Sequence, residues 1–97
     1  DVNKKAVHSA LQTKLEVLLQ DLLATTVEIE KLANTILPEA EKAFEFSQSA
    51  WQRGALSFTD VLYSEQLLFD LKFRYNSALK NYHFIVIDIN HITGKAQ

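Results

Sequence analysis

The chain has 97 residues, 47% hydrophobic and 23% charged; ten Lys+Arg against twelve Asp+Glu leave a net charge of −2 with no basic block. That excludes a binder that neutralises nucleic-acid phosphates with clustered cations, and the absence of cysteine excludes disulfides, thiolate metal sites and thiol catalysis. Two Gly and one Pro are too few for a fold that turns every 8–12 residues or so, which leaves long helices joined by one or two connections.

From Val2 to Arg53 the apolar positions keep helical spacing. Leu11, Leu15, Leu18, Leu22, Thr25, Ile29, Leu32, Ile36, Glu39, Ala43, Phe46 and Ala50 step by alternating fours and threes, a heptad seam with polar interruptions at Thr25 and Glu39. A second stripe runs beside it through Leu19, Leu23, Thr26, Ala33, Leu37, Ala40, Phe44, Ser47 and Trp51. Two adjacent stripes on one helix imply neighbours on two sides. Pro38 falls inside this pattern. It removes the hydrogen bond to the Asn34 carbonyl and crowds it, so a kink at Asn34–Pro38 is expected. The alternative is a break, with Pro38 in the first turn of a new helix beside Glu39 and Glu41.

The strongest turn signal is Arg53-Gly54-Ala55-Leu56-Ser57. Gly54 suits the left-handed position that closes a helix. Ser57 and Asp60 have the spacing of a capping box with Asp in place of Glu, and Leu56 and Val61 the spacing of a hydrophobic staple. The Asp60 carboxylate also complements the dipole of the helix it opens. From Phe58 to about Thr93 the apolar stripe resumes as Leu67, Leu71, Tyr75, Ala78, Tyr82, Ile85, Ile89 and Ile92, widened by Leu68, Phe69, Phe73, Leu79 and Val86. The β-branched stretch Phe84–Ile89 fits a strand by propensity alone, but it closes a long helical period and reads as helix.

The expected fold is therefore all-α: one long antiparallel helical hairpin spanning residues 1–97, with a helix over about 2–53, a tip at 54–57 and a helix over about 58–93. At 1.5 Å per residue the legs would be about 78 and about 54 Å long. Pairing around the tip places Leu32 opposite Leu79, Ile29 opposite Tyr82 and Glu28 near His83. The residues before Leu18 then overhang, although Leu11 and Leu15 are apolar. Broad apolar faces on a lone hairpin normally mark an interaction surface, so self-association is expected. The chain also carries no Met, which suggests a piece processed or excised from a longer protein.

Nothing in the sequence has the pattern of an active site, and no enzyme activity, metal or cofactor is expected. His8, His83 and His91 share no helical face at ligand spacing. Glu41 and Glu45 share a face with Lys42 nearby, as on a solvated helix surface. The aromatic residues follow helical spacing and read as packing. The longest apolar run, Phe84-Ile85-Val86-Ile87, is far short of the roughly 18–20 residues of a membrane-spanning helix.

Four segments in order resemble the TolC-like outer-membrane efflux protein family: Ile36-Leu37-Pro38-Glu39-Ala40-Glu41-Lys42-Ala43, then Trp51-Gln52-Arg53-Gly54, then Ser57-Phe58-Thr59-Asp60-Val61-Leu62, and the closing Ile92-Thr93-Gly94. The first leans toward the heavy-metal branch of that family. Residues 36–94 carry the likeness, while 1–35 match only as generic coiled coil. The resemblance implies a trimeric channel in which each chain gives strands to an outer-membrane barrel and helical hairpins to a periplasmic α-barrel. This chain would be the C-terminal hairpin of that α-barrel, a periplasmic portion of an outer-membrane protein. Its tip would dock a periplasmic adaptor (membrane fusion) protein joined to an inner-membrane pump. By position, Arg53, Gly54, Ala55, Leu56 and Ser57 form that tip, and Asp60 and Val61 start the return helix. Trp51 stands where Tyr is usual and Ser64 where Ala is common, and the family's strands are missing. A free-standing oligomerisation hairpin, or an adaptor's own coiled-coil hairpin, is the competing reading.

Overall fold

The computed structural model describes residues 2–96, whose described residues form an antiparallel pair of helical legs. The first leg is α1 (Val2–Lys31), a π-helical turn (Leu32–Ile36) and α2 (Leu37–Gln52); the second is α3 (Phe58–Ala96). The described residues include no strand, and Phe84–Ile89 lies within α3. The molecule is a rod measuring 76 × 19 × 15 Å. Fifty-one helical residues at 1.5 Å each come to about 76 Å, so the first leg passes Pro38 with little change of direction.

The chain accommodates Pro38 by widening the turn before it. The Leu37 amide donates to the Leu32 carbonyl, five residues back, and Pro38 sits in the first turn of α2 where its missing N–H costs least. A π turn takes one extra residue into the helix, and the buried seam records that residue. Up to Leu32 the side chains facing α3 follow the first stripe, with Leu11, Leu15, Leu18, Leu22, Thr25, Ile29 and Leu32 half-buried or buried. Beyond the turn they follow the second stripe through Leu37, Ala40, Phe44 and Ser47, and at the tip the buried residue is again one of the first stripe, Ala50, while Trp51 is exposed. Ile36, Glu39, Ala43 and Phe46 of the first stripe point out, Phe46 at 65% exposure.

On α3 the seam is an uninterrupted heptad through Val61, Ser64, Leu68, Leu71, Tyr75, Ala78, Tyr82, Ile85, Ile89 and Ile92, all buried or half-buried. Leu67, expected in the main stripe, is exposed and Leu68 takes its place. Leu32 is the most enclosed large side chain, at 1% exposure.

The two polar seam residues have different fates. Thr25 stays buried, its hydroxyl accepting from Asn81 Nδ2 at 3.4 Å, whereas the π turn carries Glu39 to the surface. A buried threonine needs one partner; a buried carboxylate would need several. Ser47, also buried, donates to the Phe44 carbonyl at 2.7 Å.

The pairing of the legs departs from simple counting. Ile29 and Tyr82 still line one groove, with Leu79. Glu28, however, pairs with Arg74 at 3.0 Å instead of His83, whose ring sits edge-on to Tyr82. At the open end His8, Leu11 and Leu15 line a groove with Ile92 and Thr93. Leu11 and Leu15 are thus partnered within the expected span of the second helix, the overhang is shorter than counting around the tip gives, and α3 itself runs on through Gly94 to Ala96. The extra residue of the π turn contributes to this shift.

Candidate functional site

The tip of the rod is built by a stop signal and a start signal set back to back. At the end of α2, Arg53 leaves the helix at φ −88°, ψ 0°, and Gly54 turns to φ +77°. The Ala55 amide donates to the Ala50 carbonyl at 2.8 Å and the Gly54 amide to the Trp51 carbonyl at 2.9 Å. This Schellman pair satisfies carbonyls that the helix end would otherwise leave open. Only glycine enters the left-handed region at little cost, which is why the turn falls here.

Three residues later α3 is capped from both directions. The Asp60 amide donates to Ser57 Oγ at 3.3 Å, while the Ser57 amide and hydroxyl donate to Asp60 Oδ2 at 3.2 and 2.9 Å. The carboxylate thus holds two donors and lies in the first turn of α3, where the helix dipole favours negative charge. Just inside, Ser64 donates to the Asp60 carbonyl at 3.1 Å. Five residues cross from one leg to the other, and their conformation is fixed at both ends.

Arg53, Gly54, Ala55 and Ser57 are exposed at this end of the molecule. Leu56, expected as a staple partner of Val61, is half-buried, and Val61 is buried. The apolar surface near the tip comes from other residues. Trp51 and Phe58 pack ring against ring at 5.1 Å and a 50° tilt, bridging the legs, yet they remain 44% and 52% exposed. Leu62 and Tyr63 are exposed beside them. By helical spacing these aromatics are expected as packing groups; the feature of the sequence that sets Trp51 and Phe58 apart is that they flank the turn almost symmetrically. The tip therefore offers one cation (Arg53), a rigid backbone loop and an aromatic platform, a combination suited to binding another protein.

The flanks are apolar too. Leu19, Leu23, Val27 and Phe46 on the first leg, and Leu67, Phe69, Phe73, Phe84 and Ile87 on α3, are exposed large hydrophobic side chains. Among the described residues no group of three or more His, Asp or Glu side chains could hold a metal ion. No helix among them is long and apolar enough to cross a membrane.

Comparison with known proteins adds one distant relative. Over 74 residues, 76% of this chain, the sequence is 28% identical to the cobalt-zinc-cadmium resistance protein CzcC of Cupriavidus metallidurans. The match takes in 18% of that relative, so the chain spans about a fifth of its length. No family model matches the chain, and no solved structure matches it.

Proposed function

We propose that this hairpin is a periplasmic wall segment of an outer-membrane channel protein in a tripartite export system, and that its tip docks a periplasmic adaptor. The observation that carries the reading is the tip itself: an exposed turn, capped on both sides and bearing an aromatic pair, at the end of a 76 Å rod. A rigid loop loses little conformational entropy on contact, so its binding energy is available for affinity. The likeness to a cobalt-zinc-cadmium resistance protein supports the same reading, as does the TolC-like pattern over residues 36–94. Divalent transition-metal cations are the cargo this suggests for the whole channel. The chain's own role is structural and non-catalytic.

The flanks support assembly with copies of itself, as a homotrimer in the full-length protein. The hairpin exposes 7457 Å². A compact monomer of 11.1 kDa would expose about 5,700 Å². The excess is about twice the roughly 800 Å² that each partner contributes to a standard protein–protein interface, as two neighbours would require.

The docking test uses the full-length protein in its host. Arg53→Glu and Ala55→Asp alter exposed tip residues without touching the caps. Both variants are expected to express normally and form the trimer but to lose metal tolerance and adaptor cross-linking. Unchanged tolerance with normal expression would rule out docking through the tip.

A further inference from the structure

The first leg carries two stripes that could each seat α2 on α3, and the π turn is the point where the structure changes from one to the other. Observed, the seam passes from Leu32 to Leu37, Ala40, Phe44 and Ser47. Were Leu32–Ile36 ordinary α-helix, the same heptad would continue instead through Ile36, Glu39, Ala43 and Phe46, with Ala50 common to both. As sets the two are similar in apolar bulk, each holding one Leu or Ile, one Ala and one Phe (Ile36, Ala43 and Phe46 against Leu37, Ala40 and Phe44). Position for position, Glu39 would take the place of Ala40, Ala43 that of Phe44 and Phe46 that of Ser47, so the exchange brings one carboxylate into the seam.

We propose that Leu32–Ile36 is a register switch: closing its π turn into α-helix rotates α2 by one residue on α3 and exchanges the apolar stripe that the distal hairpin shows outward. Two residues hold the observed state. Pro38 cannot donate to the Asn34 carbonyl, so it favours a widened turn just before it. Glu39, exposed in the observed state, would have to bury a carboxylate in the second. Space for side chains to move exists beside the turn, where a groove of about 350 Å³ is lined by Leu32, Ile36 and Arg74. The consequence is that a neighbour packed on the outside of the hairpin meets either Ile36 and Phe46 or Leu37 and Phe44, according to state.

Because the natural chain has no cysteine, single thiols report the seam cleanly. Ala40→Cys and Ala43→Cys are compared for maleimide labelling of the intact chain, at concentrations where it is dispersed. With the natural sequence around them, Cys at 43 should react at least ~10-fold faster than Cys at 40, because position 40 is closed to solvent. Adding Pro38→Ala and Glu39→Leu should invert that order while helix content by circular dichroism stays the same. An unchanged order in the double variant overturns the proposal. So does loss of helix content, since both states are required to be helical throughout.

Discussion

Gly54 and Gly94 show how one residue type acts through its backbone. At Gly54 φ is +77°, and a Cβ there would meet nothing within 4 Å. The obstacle to a side chain is thus conformational, and Gly54→Ala is expected to lower stability by about 1 kcal/mol. Gly94 lies in helical conformation within α3, also with open space around it. Gly94→Ala should stabilise by up to about 1 kcal/mol, less where the helix end frays. Paired urea titrations of the two variants should therefore shift in opposite directions. The Ser57–Asp60 cap gives a further check: Ser57→Ala removes the acceptor for the Asp60 amide and one donor to its carboxylate, and should cost about 1 kcal/mol. The Arg74–Glu28 pair is a weaker matter, since its side chains are 67% and 42% exposed. Arg74→Ala should change stability by less than about 1 kcal/mol, and less still in high salt.

At the scale of the element, the first leg is set by its single proline. An α-helix would place the Pro38 ring against the Asn34 carbonyl; the π turn at Leu32–Ile36 removes that conflict and advances the seam by one residue. The cost is an irregular turn, and the gain is that Glu39 stays in water. Leu32 lies where the two stripes meet and is almost wholly enclosed, at 1% exposure. Leu32→Ala should be the most damaging single truncation in the first leg, at about 3 kcal/mol by thermal or urea unfolding. Truncating the outward Phe46 should cost far less in the dispersed chain. A comparable loss at both positions would mean that the seam does not change stripes.

The whole molecule is two helices wide, so nearly every residue lies close to solvent. Such a rod cannot enclose its apolar side chains however well its legs pair; a third element is needed to cover Phe69 and Phe73, which remain 58% and 75% exposed. Concentration-dependent association is the expected outcome in sedimentation equilibrium, and Phe69→Glu with Phe73→Glu should weaken it at least ~10-fold without loss of helix. A monomer that persists at high concentration would show that these flanks do not drive assembly.

Much of this was legible in the order of the residues. Helices follow from apolar positions recurring every three or four residues with almost no glycine or proline, and the elbow follows from Gly54, Ser57 and Asp60, whose preferences are local. What folding alone decided was which of two neighbouring stripes faces the partner helix. Leu67 or Leu68, and Phe46 or Phe44, are equally apolar to a reader of the sequence; the choice between them depends on the phase of the entire leg, and one extra residue beside Pro38 resets that phase. The Glu28–Arg74 pair and the exposed Trp51–Phe58 platform depend on the same phase. Local chemistry fixes where a chain turns, whereas the angle at which two long rods meet is a property of both together.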